Sequence, residues 1–181
     1  MKKIIILILL VSCSSARVVS TNEYYADGLI KDCQKLNSWR PCYQNLKESL
    51  KIYRELKLKK KETLTVVRLI NLYRNNKKNK HLESLAKEIK VLSVGELKKD
   101  ASLLYDLSIL FLRNKKDEIE KVVAQVLNSS EVSPRRLYIL NKFYNNFNDS
   151  LKLDFQIVLK KVRKYSSEEK ENYYLDKIKT D

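Results

Sequence analysis

The chain has 181 residues, enough for one domain with a hydrophobic core and too few for two large domains. Its 44% hydrophobic and 33% charged residues argue against a disordered chain, and its two glycines and two prolines argue against a many-turned sheet protein. The formal net charge of +15 favours acidic partners such as phosphate backbones, anionic lipid headgroups or sulfated sugars, although lysine faces that are merely solvated give the same excess.

The first twelve residues have the pattern of an export signal. Lys2 and Lys3 precede an unbroken apolar run from Ile4 to Val11. This run is far shorter than the roughly 20 residues that a membrane-spanning helix needs. A basic start followed by a short apolar segment is typical of a signal peptide that is removed from the mature protein.

The tetrapeptide Leu10-Val11-Ser12-Cys13 resembles the lipobox of bacterial lipoproteins. The resemblance implies cleavage before Cys13, a diacylglycerol on its thiol and acylation of the new N-terminus, and two or three acyl chains bind a membrane almost permanently. Ser14, which is not aspartate, favours the outer membrane of the cell envelope. An ordinary signal peptide with an incidental cysteine, or a short buried strand, is the alternative. The predicted parts are a signal peptide (1–12), a lipidated tether (13–19) and a helical-repeat domain (20–181).

The other two cysteines, Cys33 and Cys42, form an even pair in a chain that is predicted to be exported. A disulfide is the simplest interpretation in an oxidising compartment, and it would contribute about 2–3 kcal/mol in the chain-entropy model. Zinc needs four ligands, and the only histidine, His81, is far away in sequence. We therefore predict a disulfide, with no metal and no cofactor.

Helical periodicity runs through the rest of the chain in short segments. Three serine–glutamate pairs at capping-box spacing and a Ser-Pro pair predict helix starts: Ser20/Glu23, Ser93/Glu96, Ser166/Glu169 and Ser133-Pro134. The predicted apolar faces, in chain order, are Tyr25, Leu29, Cys33 and Leu36; Tyr43, Leu46, Leu50 and Tyr53; Val67 and Ile70; Leu85, Ala86 and Ile89; Leu97, Ala101, Leu104, Tyr105 and Ile109; Ile119, Val122, Val123 and Val126; Leu137, Leu140 and Tyr144; Leu151, Phe155, Val158 and Val162; and a last helix ending near Ile178.

These segments predict an all-α fold of about eight or nine helices. Antiparallel hairpins starting near residues 20, 62, 93 and 133 are spaced by roughly 30–40 residues, which is typical of stacked helical repeats. A non-repeating antiparallel bundle is the alternative.

Part of this pattern resembles the tetratricopeptide repeat. The resemblance rests on Leu104, Tyr105, Leu107, Ser108 and Phe111, on Ala124 and Leu127 with the later Pro134, and on Tyr24 and Gly28 in the first hairpin. It covers about half of the chain, and it implies a right-handed superhelix with a concave protein-binding groove and no catalytic residues.

Few residues stand out as candidates for function. Trp39, the only tryptophan, is a candidate partner anchor in the first hairpin turn, or a cover for the neighbouring helices. His81 is expected to be a solvated surface residue, and most of the eleven tyrosines are expected to pack in the core. Two basic runs are candidates for binding a polyanion, if they merge into one surface: Lys57, Lys59, Lys60 and Lys61, and Lys77, Lys78 and Lys80.

The sequence carries no nucleotide-binding loop, no serine-hydrolase elbow and no recognisable nucleic-acid module, so we expect neither an enzyme nor a nucleic-acid partner. The leading hypothesis is a membrane-tethered adaptor that binds another envelope protein and takes part in outer-membrane assembly or maintenance. The rival hypothesis is a surface-exposed adhesin or ligand-binding lipoprotein that recognises a polyanion such as a glycosaminoglycan.

Overall fold

The predicted all-helical fold is confirmed by a computed structural model, which describes residues 20–36, 38–130, 132–166 and 169–178. All regular structure within these ranges is helical. The predicted signal peptide and tether, including Cys13, lie outside them. The helices are α1 (Thr21–Lys35), α2 (Trp39–Glu55), α3 (Lys59–Asn75), α4 (Asn79–Lys90), α5 (Glu96–Leu112), α6 (Lys116–Leu127), α7 (Pro134–Asn141), α8 (Asp149–Tyr165) and α9 (Glu169–Leu175), with a short 3-10 turn at Tyr144–Asn146.

The helices form antiparallel hairpins that stack side by side. The first helix of each hairpin begins 37 or 38 residues after the previous one, at Thr21, Lys59, Glu96 and Pro134. Along the stack α3 packs on α5, α5 packs on α7, and α7 packs on α9. The regular interval and these contacts agree with the predicted hairpin array, in which each hairpin buries the face that its neighbour would otherwise expose.

One hydrophobic core runs through all four hairpins. Burying each large apolar side chain stabilises the fold by about 1.5–3 kcal/mol relative to leaving it exposed. The bulkiest fully buried side chains are Tyr53, Phe143, Phe155, Leu46, Leu50, Leu69, Ile70, Leu82, Leu104, Leu107, Ile119 and Leu137.

Two of the predicted helix caps are confirmed. Ser20 Oγ accepts a hydrogen bond from the backbone N–H of Glu23 (3.1 Å), and Ser133 Oγ accepts one from the N–H of Arg136 (3.3 Å). The predicted cap at Ser93 is wrong, because α5 begins two residues later, after Gly95. Gly95 has φ +142°, a conformation that only glycine adopts without strain, and it makes no side-chain cap.

The apolar face predicted for α1 is also wrong in part. Tyr25 and Leu36 are exposed, and the buried side of the helix carries Glu23, Ala26 and Ile30. A buried carboxylate needs a partner, and Lys61 of α3 supplies it, with Nζ 2.9 Å from Glu23 Oε1. The buried face therefore depends on a contact that is remote in sequence.

The predicted cysteine pair lies at the turn between α1 and α2. The sulfur atoms of Cys33 and Cys42 are at bonding distance, and their Cα atoms are 4.4 Å apart. The pair ties the end of α1 to the first turn of α2.

Three interhelix turns share one backbone design. The second residue after each helix is in the left-handed region. These residues are Lys57 after α2, Lys77 after α3 and Asn114 after α5, with φ of 55°, 52° and 56°. This is the Schellman arrangement, which satisfies carbonyls at the helix end. The hydrogen bonds that define it run from Leu58 N–H to Tyr53 O (2.8 Å), from Lys78 N–H to Tyr73 O (2.8 Å) and from Lys115 N–H to Leu110 O (2.9 Å).

Candidate functional site

The first two hairpins leave an open groove between α1 and α3. Both helices pack on α2, whereas later in the array α3 also packs directly on α5. The space between them, about 520 Å³, is bounded by α1 and α3, and Tyr53 of α2 also lines it. We call it the α1–α3 groove.

A hydrogen-bonded cluster holds the two walls of the groove together. The hydroxyl of buried Tyr53 donates to Asp27 Oδ1 (2.6 Å), and Lys61 Nζ donates to both carboxylate oxygens of Asp27 (2.7 and 2.6 Å). The ammonium of Lys61 also lies 5.5 Å from the centre of the Tyr53 ring. Since Asp27 is on α1 and Lys61 is on α3, this cluster fixes the spacing of the two helices.

Protonation equilibria in this cluster follow from its geometry. Burial raises the pKa of Tyr53, and its hydrogen bond to Asp27 raises it further. Burial also raises the pKa of Asp27, but hydrogen bonds from Lys61 and Tyr53 outweigh this effect and bring its pKa below the ordinary value of 3.8. The cluster therefore keeps Asp27 ionised.

The walls of the groove also carry residues outside this hydrogen-bonded cluster. Tyr24 is 75% exposed, and Gly28 sits beside it in the middle of α1. A Cβ built at Gly28 would meet nothing within 4 Å. Lys31 of α1 and Arg68 of α3 also line the groove, and within the described residues neither makes an ion pair or a hydrogen bond.

The two predicted basic runs do not merge. The first run lies at the start of α3 and the second follows its end, so the length of the helix separates them by about 25 Å. Lys61 is bound to Glu23 and Asp27, and Lys59 Nζ lies 3.6 Å from Glu62 Oε2. The exposed lysines of the two runs, Lys57, Lys59 and Lys60 in the first and Lys77 and Lys80 in the second, thus occupy two separate places.

Trp39 belongs to an aromatic patch, which we define as Trp39, Tyr43, Tyr73 and His81. The Trp39 ring is half-buried against the core, 5.7 Å from the His81 ring and 6.3 Å from the Tyr43 ring. Lys78 Nζ lies 4.9 Å above it. His81 is exposed, as predicted, but its ring also contacts Tyr43 and buried Tyr73. Trp39 therefore covers the neighbouring helices, with part of its ring accessible.

Sequence reasoning assigned Tyr24 and Gly28 to a repeat motif and did not identify them as the lining of a groove. The signal that could have shown it was local: a glycine in the middle of a helix costs roughly 1 kcal/mol relative to alanine and needs a reason. Lys31 and Arg68 gave no signal, because isolated basic residues are common in a chain with 37 lysines and arginines.

The bridge between Asp27 and Lys61 predicts a specific acid sensitivity. Because the pKa of Asp27 is lowered in the folded state, its contribution is present above the unfolded value near 3.8 and is lost as the pH falls further. Asp27→Asn should destabilise the protein at neutral pH, and the difference from the parent should shrink below about pH 4. Urea unfolding over a pH series measures this. Asp32→Asn, an exposed change on the same helix, is the matched control, and an equal pH response in both variants would contradict the prediction.

No group of three or more histidine, cysteine, aspartate or glutamate side chains in the described part of the chain is arranged to hold a metal ion. None of the helices in these ranges is both long and apolar enough to cross a membrane. Comparison of the whole chain with protein-family models, with curated proteins and with solved structures finds no match.

Proposed function

We propose that this protein is a membrane-anchored adaptor of the cell envelope, in which lipid on Cys13 provides the anchor and the helical hairpins bind a segment of another envelope protein. The observation that carries the docking role is the α1–α3 groove, which combines an exposed tyrosine with two cations, Lys31 and Arg68, that make no ion pair or hydrogen bond within the described residues. Tyrosine and arginine are the residues that most often anchor protein–protein contacts.

The position of the groove supports this proposal. One wall of the groove is α1, which directly follows the predicted tether, so a bound partner would be held close to the membrane. The fixed distance between α1 and α3, set by Asp27, Tyr53 and Lys61, means that little conformational freedom is lost on binding.

A photoreactive phenylalanine analogue at Tyr24 tests the docking role in cells that produce the full chain. Illumination should link the protein to a discrete partner, because the side chain at this position lies in the groove and is exposed. The same analogue at Tyr173, which is 59% exposed on α9 at the other end of the array, is the control. Identical products from both positions, or none from position 24, would contradict the proposal.

The alternative, a polyanion-binding surface lipoprotein, is supported by the exposed lysines Lys57, Lys60, Lys77 and Lys80. Such binding is screened over about 8 Å at physiological salt, so retention on heparin would vanish at moderate ionic strength. An adaptor contact with buried anchors would keep its lifetime at high salt, because salt mainly changes the association rate. Pull-downs from detergent-solubilised envelopes at low and high salt separate the two functions.

A further inference from the structure

We infer that the α1–α3 groove takes an acidic, extended segment of its partner, whose backbone passes over Gly28 and whose carboxylates bind Lys31 and Arg68. This inference rests on the proposed adaptor function and adds the chemical class of the ligand.

The first argument is the charge that the groove leaves unbalanced. Lys61 is already neutralised by Glu23 and Asp27, with N···O distances of 2.9 and 2.6 Å. Lys31 and Arg68 make no ion pair or hydrogen bond among the described residues, although the charge of Lys31 helps to keep Asp27 ionised, and they lie on opposite walls of the same groove. Three cations, Lys31, Lys61 and Arg68, thus face two carboxylates, Glu23 and Asp27, which leaves one positive charge in excess. A guanidinium binds a carboxylate through two parallel hydrogen bonds, so an acidic ligand is the class that can pair with the cations on both walls of the groove.

The second argument is Gly28, which is independent of charge. Gly28 lies in the interior of α1, where glycine weakens a helix, and no neighbouring atom requires its small size, since a Cβ there would meet nothing within 4 Å. The residue lines the groove. The packing of the folded chain does not require a glycine at this position. The missing side chain leaves room for the backbone of a ligand to approach α1 closely.

The third argument is the apolar part of the lining. Leu64 is half-buried and Ile30 is buried, and exposed Tyr24 stands at the edge of the groove. This surface accommodates an aliphatic side chain placed between acidic ones. The expected ligand is therefore a chain segment with alternating acidic and small or aliphatic residues.

The test uses the purified full chain in detergent and a fluorescent peptide of alternating glutamate and glycine with one central leucine. A second peptide, with glutamine in place of glutamate, is the ligand control. The glutamate peptide should bind, and the glutamine peptide should bind at least about tenfold more weakly, because charge-assisted hydrogen bonds are roughly twice as strong as neutral ones.

Three protein variants decide where the peptide binds. Arg68→Gln should weaken binding by about tenfold, whereas Lys57→Gln, which removes the same charge from an exposed turn outside the groove, should change it less than about twofold. Gly28→Leu should abolish binding while keeping or raising the melting temperature, since leucine is a better helix former than glycine.

Equal losses in Arg68→Gln and Lys57→Gln, unchanged binding by Gly28→Leu, or no binding of the glutamate peptide would each overturn the inference. The outcome is separable from that of the adaptor proposal. If a partner is cross-linked at position 24 but the glutamate peptide does not bind, the adaptor proposal is supported and the inference of an acidic ligand is wrong. If the glutamate peptide binds but no partner is cross-linked, the groove binds acidic segments and the adaptor proposal is wrong.

Discussion

Replacing Asp100 with alanine should lower the free energy of unfolding by about 1.5–3 kcal/mol, because it removes a buried carboxylate that Arg135 and Arg136 share. Asp100 of α5 is 3% exposed, and Arg136 of α7 is 6% exposed. Asp100 Oδ2 lies 2.6 Å from Arg135 Nε, and its Oδ1 lies 3.3 Å from Arg136 Nε. Without the carboxylate, Arg136 keeps its ion pair with Glu96 at 2.7 Å, but the side chain of Glu96 is more than half exposed and compensates the buried charge less well. Urea unfolding followed by the helical circular dichroism signal measures the loss.

Asp32→Ala is the matched control for this substitution. Asp32 lies on the surface of α1, 3.9 Å from exposed Lys35, and such a pair contributes less than about 1 kcal/mol. The double variant Asp100→Ala/Arg136→Ala should lose less stability than the sum of the two single variants, because each single change leaves the other buried charge with less compensation. Additive losses would show that the pair is not coupled.

Cys13→Ala should abolish labelling by a fatty-acid probe and leave an unprocessed precursor. The lipobox resemblance gives Cys13 as the acylated residue, and each buried methylene contributes about 0.8 kcal/mol to membrane binding, so losing all acyl chains removes the stable anchor. Metabolic labelling, followed by fractionation of the cells, measures both effects.

The double variant Cys33→Ala/Cys42→Ala is the control for this experiment. It removes the other two cysteines, and with them the disulfide, but leaves the lipobox intact, so it should be labelled and processed like the parent. Labelling that persists in Cys13→Ala, or that disappears in the control, would show that the acyl chains are not carried by Cys13.

The local part of the fold could be predicted from the sequence. Helix starts at Ser20 and Ser133 depend on one side chain and a backbone N–H three residues on, and both are confirmed. The cysteine pair needed only a short separation and a helix break between its members. The capping pattern at Ser93 predicted the wrong start for α5, because the backbone conformation of Gly95 sets where this helix begins.

The parts that could not be predicted depend on partners remote in sequence. Glu23 looks like a solvent-facing residue until Lys61, 38 positions later, neutralises it, and this contact rotates the buried face of α1. Within a run of lysines, the sequence alone does not show which side chains form ion pairs in the folded protein. The α1–α3 groove has the same origin, because a space between two helices is a property of how both pack on a third.

The link between Cys33 and Cys42 has a mechanical consequence for a molecule tethered through its N-terminus. With Cys13 held in a membrane as proposed, any pull by a partner on the rest of the array is transmitted through α1, which is the outermost of the described helices at this end of the stack. An outermost helix is the element that would peel away first under load, since it has a neighbour on one side alone. The covalent link carries tension from the far end of α1 directly into α2. Closer to the N-terminus of α1, the ion pairs of Lys61 with Glu23 and Asp27 resist the initial separation of α1 from α3. That separation would open one wall of the groove.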